Sequence, residues 1–400
     1  MSGRIVLGLG GTVDHELVWD AAVFQALVDH HGIEFAELQG GPSSTATTER
    51  EIILAILRSM YGAVGCECYV KDKETLLAFD SHFAHDVTLG GTCVRAALAL
   101  DRIGIGSTVH LVSISDEVRE RLPPSVEWIC SADKDSLDPH VIVQYPAGTR
   151  IRVSDGTVVV SRPNRVILVN DEPNEHMYLS TELPWVLSRA EAVEASGFNT
   201  MKSEAELRQR LGQLEAAFES VAPGVPVVYE DAGFHDDSMR SVVLEVIPRL
   251  FSVHSMNEDE AQRYLGRDVD LESPAEVVAM MRDLKELLAS PAVLVHTSHY
   301  AAVIGTDAER YGIACEAGCL MAATRFVYGD KYGRAEYEAV SRAPRQPIGL
   351  ELAGAAEVIA AGVWIAPGFV VEADHPTTIG LGDSFIGGVM GSLLDRTVVG

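Results

Sequence analysis

The apolar run Ile5-Val-Leu-Gly-Leu ends in Gly10-Gly11 and predicts a buried first strand. A helical pattern is expected from Glu16, which puts Asp14 just beyond the C-terminal end of that strand. Later segments alternate in the same way. Val225 to Tyr229 reads as strand, Asp237 to Leu250 as helix, Phe251 to Val253 as strand and Asn257 to Leu265 as helix. A helix over Pro274 to Leu288 and a strand at Val293 to His296 follow. This βα alternation predicts an α/β fold on a mostly parallel sheet, in which ligands bind at the C-terminal ends of the strands.

Pieces of another character interrupt the first half. Glu67 to Lys71 and Phe83 to Leu89 are short, partly alternating runs, and Asp155-Gly156 within Ile151 to Val160 signals a hairpin. They predict a small β-rich lid formed by insertions at about 32–48, 64–89 and 140–168 within one domain spanning 1–400. Gly40 to Thr48 reads as loop, and Thr48 with Glu51 as a capping box for the next helix.

Composition narrows the partners. With 47% hydrophobic residues in 400, the chain can bury a sizeable core. Lys and Arg total 31 against 58 Asp and Glu, a formal charge of −27 that repels phosphate backbones and anionic lipid. No nucleic-acid or membrane partner is expected, and any phosphate site must be local, built from backbone N–H groups, a few cations and Mg²⁺. The six cysteines lack zinc-ribbon spacing and read as reduced packing thiols. The N-terminus carries no secretory pattern, and the apolar stretch Leu352 to Val371 is broken by Glu357, Gly362, Pro367 and Gly368. A cytoplasmic enzyme, monomeric or homodimeric, is expected.

The candidate chemistry concentrates in Pro376-Thr-Thr-Ile-Gly-Leu-Gly-Asp-Ser-Phe-Ile-Gly-Gly. Gly380 and Gly382, flanking Leu381, let the backbone turn tightly into a helix near Asp383, so free N–H groups and the positive helix end converge on one point. A transferring phosphoryl group fits there, with Asp383 as acceptor of the hydroxyl proton. Asp383 also suits the simpler role of helix cap. A hydrolase reading with Ser384 as nucleophile needs a histidine downstream, and none follows His375.

The segment Thr377 to Gly388 resembles the C-terminal signature of the ribokinase superfamily, and leucine between its glycines is similar to the ADP-dependent glucokinase and phosphofructokinase family. Ser252-Val-His-Ser-Met-Asn-Glu-Asp-Glu resembles that family's Asn-x-x-Glu motif, which implies that Asn257 and Glu260 hold Mg²⁺ largely through water. Val295-His-Thr-Ser-His-Tyr resembles its strand near the adenine pocket, implying nucleotide contacts from His296, Thr297 and Tyr300 together with Gly380 and Gly382. Ala195-Ser-Gly-Phe-Asn199 resembles its turn near the phosphates, and Leu89-Gly90-Gly91-Thr its sugar-contacting turn. Asp14 is the aspartate retained from the family's sugar-binding motif, and Asn170 opens a stretch, Asn170 to Tyr178, that corresponds to its Asn- and Pro-containing loop. The family's His-x-Glu keeps only its acid, Glu230. The resemblance implies a ribokinase-like three-layer sandwich and an ADP-dependent sugar kinase acting on a sugar or polyol. An ATP-dependent ribokinase-type kinase of a sugar or nucleoside, or a non-catalytic sugar-binding protein, are the alternatives.

Read from their chemistry alone, these residues have plainer roles as well. Glu260 sits with Glu258 and Asp259 where acids suit a helix start, and Asp14 could be an ordinary cap before Glu16. Glu230 and Glu260 suffice for Mg²⁺, which keeps several waters. Where the resembled family carries basic residues for a substrate phosphate, this chain has Asp171, Glu172 and Glu175, and the resemblance therefore implies an acceptor without phosphate. Arg150, Arg152, Arg162 and Arg165 cluster around the predicted hairpin, as phosphate clamps or as solubilising charge. His82-x-x-His85 and His296-x-x-His299 fall in strand-like segments, where i and i+3 face opposite sides, so neither spacing reads as a zinc site.

Overall fold

The computed structural model describes residues 5–234, 236–373, 377 and 379–394. Its larger sheet has nine strands in the spatial order Trp364–Pro367, Tyr300–Gly305, Ala292–His296, Val253–Asn257, Val227–Glu230, Ala192–Ala195, Ile5–Gly8, Ser107–Leu111 and Val126–Cys130. All neighbours run parallel except the pairs made by Tyr300–Gly305 with its two flanking strands. Ile5–Gly8 and Ala292–His296 read as nearly continuous apolar runs because helices cover both faces. On one face Ile5, Leu7, Val228, Val253 and Leu294 share a core with the helices Thr92–Arg102, Ala308–Tyr328 and Leu381–Leu393. On the other, Val6, Val193 and Tyr229 pack on the helix Glu204–Phe218, and Val293 and Val295 on Pro274–Leu288.

Local signals explain the element ends. Pro274 opens its helix and Ser273 caps it, and the buried positions Val277, Met280, Met281, Leu284 and Leu288 recur at helical spacing. The stretch expected as one helix from Asp237 to Leu250 is two, Asp237–Leu244 and Ile247–Leu250, since Pro248 has no N–H to continue the ladder. The next strand begins at Val253 and runs on to Asn257. Thr48 and Glu51 form the expected capping box.

A six-stranded sheet forms the lid, in the order Thr45–Ala46, Cys66–Val70, Asn164–Val169, His140–Tyr145, Thr12–Leu17 and His85–Gly90. Thr12–Leu17 corrects the expected helix from Glu16. The segment alternates with period two, turning Val13, His15 and Leu17 to one face and Asp14 and Glu16 to the other, and the helix starts only at Ala21 behind the cap Asp20. One face of this sheet is apolar, with Leu17, Cys68, Val141, Val143, Val166 and Leu168 buried against the helices Ala21–His31, Glu49–Gly62 and Lys73–Asp80. The expected hairpin, Arg150–Val153 with Gly156–Val159, packs Ile151, Val153 and Val158 into the same core. Register places Asp14, Glu16, Asp86, Thr88, His140, Gln144, Arg165 and Glu67 together on the opposite, polar face.

Candidate active site

Gly380 has φ 67° and ψ 24° and opens the helix Leu381–Leu393. A Cβ there would lie 2.9 Å from Arg95 Cδ, so both conformation and space require glycine. Asp383 therefore stands in the first helical turn beside half-buried Leu381 and Gly382, where unpaired N–H groups make the potential positive. Thr92 Oγ1 donates to Asp383 Oδ1 at 3.0 Å, and Arg95 Nε lies 3.8 Å from Oδ2. The Asp383 side chain keeps 25% of its surface exposed, enough for a substrate to reach it. Pro376, Thr378 and His375 lie outside the described residues.

Arg95 was not singled out in the sequence, where it reads as one more residue of an amphipathic helix. The structure puts it at the centre of the site, with Arg95 Nη2 donating to Asp14 Oδ2 at 2.7 Å and lying 3.9 Å from Glu16 Oε1. Burial works against its charge, but Asp14 and Asp383 hold the guanidinium protonated. Asp14 itself is 4% exposed, and its Oδ1 accepts from Thr12 Oγ1 at 2.7 Å. Gly90 gives it room, since a Cβ there would sit 2.3 Å from Asp14 Oδ2, while a Cβ on Gly91 would meet the Gly11 backbone at 2.9 Å.

Three strands present polar groups on the sheet face that carries the Asp383 helix. Glu194 pairs in register with Leu7 and Val228, Glu230 follows Val228 by two, and His296 follows Leu294 by two. His296 Nε2 contacts Glu230 Oε1 at 2.9 Å, and the ring packs on Phe385 with centroids 4.8 Å apart. A Cβ on Gly382 would fall 3.4 Å from His296 Cε1, so the glycine turn and the Glu230–His296 pair adjoin. Glu230 Oε2 is buried without a hydrogen bond. Asn257 caps the helix Glu258–Leu265 through Oδ1, and Glu260 Oε2 accepts from the Asn257 N–H. Burial, reinforced by the charge of Glu230, pushes the Glu260 carboxyl up to about 8. Glu194, a second residue absent from the sequence reading, is 1% exposed, and its burial pushes the carboxyl well above the usual range. In the sequence it is one acid in a four-residue strand, with no signal that it faces inward.

Other expected contacts are placed differently. Tyr300 is 1% exposed, and its hydroxyl donates to the Leu271 carbonyl, so its side chain packs in the core. Thr297 closes the turn that leads to it, donating to the Tyr300 carbonyl. Asn199 donates to the Gly233 carbonyl at 3.3 Å, and Asn170 ties the lid together through the Val70 carbonyl at 2.7 Å. Among the arginines, Arg150 and Arg152 stand exposed on the hairpin, and Arg162 binds the Ala63 carbonyl. Of these four lid arginines, Arg165 faces the site. Burial lowers its pKa, as does the charge of Arg95, while Asp383 raises it.

The loop acids are committed to partners. Asp171 Oδ2 is 3.0 Å from His140 Nε2, and Glu175 receives Lys202 Nζ at 2.7 Å. Burial alone would pull the His140 imidazolium down, but the hydrogen bond and charge of Asp171, helped by Asp14 and Glu67, push it up to about 9. A histidine raised in the folded state contributes stability below its ordinary value and loses it as pH climbs through about 9. Asp171→Asn retains the helix-capping oxygen yet removes the charge. Its destabilisation in urea melts should be largest near pH 6 and fade as pH passes about 9; a pH-independent loss would assign the residue to capping alone.

Among the described residues no helix is long and apolar enough to cross a membrane. The sequence matches the family model of the ADP-specific phosphofructokinase/glucokinase conserved region over residues 3–387. No curated protein matches it. A phosphofructokinase from Pyrococcus horikoshii OT3 solved with AMP superposes at TM-score 0.78 with 15% identity, covering 98% of this chain and 97% of that one. The last common ancestor of ADP-dependent phosphofructokinases from Methanosarcinales gives 0.72 at 16% identity, covering 98% and 94%. An ADP-dependent kinase in complex with fructose-6-phosphate and ADPβS gives 0.71 at 14%, covering 98% and 93%. At this identity the likeness speaks for the fold, a ribokinase-like α/β sandwich. The family match extends over nearly the whole chain, so this protein belongs to the ADP-specific phosphofructokinase/glucokinase family and is an ADP-dependent sugar kinase, a phosphotransferase with a hydroxyl as acceptor.

Proposed function

We propose that Asp383 is the general base that takes the acceptor's hydroxyl proton as the terminal phosphoryl of ADP is transferred, and that the acceptor is an uncharged sugar or polyol. Phosphoryl transfer asks the protein for in-line positioning, charge stabilisation and a proton acceptor. The left-handed turn at Gly380 carries this reading, because it aims a helix N-terminus and the Asp383 carboxylate at one place while Thr92 and Arg95 fix that carboxylate. Arg165 adds positive charge for the transferring group, and His296 with Thr297 borders the nucleotide. The chain works as one unit over 1–400, closed by its lid, as a monomer or homodimer. Its six cysteines are free thiols, which suits the cytoplasm.

Glu230 and Glu260 fit a hard divalent cation. One oxygen of Glu230 is buried and unsatisfied, and burial together with the charge of Glu230 disfavours the charged form of Glu260 until a cation joins them. Mg²⁺ held there by Glu230, Glu260 and Asn257, largely through water, would neutralise charge on the phosphates. Glu260→Ala should raise the Mg²⁺ concentration for half-maximal activity about 10–100-fold. An unchanged Mg²⁺ requirement would take Glu260 out of the metal site.

The lid's polar face supports the uncharged acceptor. Asp14, Glu16, Glu67 and Asp86 share it with Arg165 and His140, a balance that accepts hydrogen bonds from hydroxyls and repels a phosphate ester. Asp171 and Glu175 lend less support, since His140 and Lys202 neutralise them. Arg165 favours a second reading, an acceptor phosphate, because its guanidinium makes no hydrogen bond or ion pair among the described residues. Comparing kcat/KM for glucose-like free sugars with fructose 6-phosphate and glucose 6-phosphate, each with ADP and with ATP, decides between them. Free sugars with ADP should be the best pair. A marked preference for either ester would establish the second reading.

A further inference from the structure

The apolar side of the lid sheet holds a polar cluster that the kinase chemistry does not use. Leu17 pairs with His85 and His15 with Val87, which makes His15 and His85 diagonal neighbours across two strands. Their rings stack with centroids 4.0 Å apart and an interplanar angle of 15°. Asp80, the last residue of the helix Lys73–Asp80, faces both: Oδ2 is 2.8 Å from His15 Nδ1, and Oδ1 is 3.1 Å from His85 Nδ1. The first contact is a hydrogen bond, but Asp80 Oδ1 and His85 Nδ1 are buried atoms without a hydrogen-bond partner. Buried polar atoms are nearly always paired, so two orphans facing each other indicate a missing partner.

We propose that His15, Asp80 and His85 bind one divalent first-row transition-metal ion, Zn²⁺ being the probe of that class. Two imidazole nitrogens and a carboxylate oxygen are donors such ions favour, whereas Mg²⁺ and Ca²⁺ take oxygen sets. Bonds of about 2.0–2.2 Å place two donors of one ion at most roughly 4.4 Å apart. Asp80 meets that limit with both histidines, and ligand atoms of all three residues lie within 4.8 Å of one another. Binding displaces the Nδ1 proton of the His15–Asp80 bond to solvent. The His85 side chain, 28% exposed, leaves a side for entry and for a water as fourth ligand. The ion would join the strand bearing Asp14 to the helix Lys73–Asp80 behind it. A superficially similar cluster, His31 and His82 on Glu49 at 2.9 and 2.8 Å, has each carboxylate oxygen hydrogen-bonded and serves as the control.

The test titrates the full-length chain with Co²⁺, followed by its visible absorption, and then with Zn²⁺, in excess Mg²⁺ to fill oxygen sites. The wild-type chain should take up one tightly held Co²⁺ that Zn²⁺ displaces. His85→Ala should bind it at least about tenfold more weakly at unchanged kinase turnover, and His82→Ala should bind as wild type does. Absence of uptake, equal affinity in His85→Ala, or loss in His82→Ala instead would each overturn the site. Should His85→Ala fail to fold, Asp80→Asn makes the same comparison, because the amide keeps the shape and removes the anionic ligand.

Discussion

Asp383→Asn should lower kcat by about 10²–10⁴-fold, the range for losing a positioned base, with fold and nucleotide binding intact. The amide has nearly the same shape and retains an oxygen to accept from Thr92 Oγ1, so the turn at Gly380 has no reason to move. What it lacks is basicity. Single-turnover rates, with nucleotide affinity measured separately, distinguish a chemical defect from a binding one. Turnover close to wild type would remove Asp383 from the role of base.

The second large effect is on stability. Arg95→Ala should cost about 3–5 kcal/mol, because it strands the buried Asp14 carboxylate without its guanidinium. An exposed ion pair would be worth far less, about 1 kcal/mol or below. Removing both charges in Arg95→Ala/Asp14→Ala should recover much of that loss, since no uncompensated charge then remains inside. Denaturant midpoints of the two single variants and the double complete the cycle. Strict additivity of the single effects would show that Arg95 and Asp14 do not act as a pair. The Arg95 variants should also lose turnover, because the same guanidinium faces Asp383.

The legible parts of this protein are local. The βα alternation from Val225 onward is written in short apolar runs and helix caps, and the Gly380-Leu381-Gly382-Asp383 turn lies within four residues. The lid is less legible because its sheet draws on segments more than 150 residues apart, from Thr12 to Val169. Its strand Thr12–Leu17 is hard to read since Asp14 and Glu16 are poor strand formers, and only pairing with His85–Gly90 and His140–Tyr145 sorts its residues into two faces. Arg95, Glu194 and His140 acquire meaning only from what three-dimensional packing sets beside them. The same holds for His15, Asp80 and His85, whose sequence positions follow no metal-binding spacing.

The strand order also fixes a sequence of events during synthesis. All six lid strands exist once Val169 has left the ribosome, whereas Ile5–Gly8 must wait for Ala192–Ala195 to gain its second neighbour. Chains fold N-terminal parts first as they emerge, so the lid sheet closes ahead of the sheet it covers. Among the described elements the helix bearing Asp383 is made last, and it packs between Thr92–Arg102 and Ala308–Tyr328, two helices made before it. A nascent chain arrested with Val169 outside the ribosome but Ala192 not yet released therefore presents a finished lid over an unfinished floor, and pulse proteolysis of such arrested chains should find the lid segments protected while the first strand is still cut.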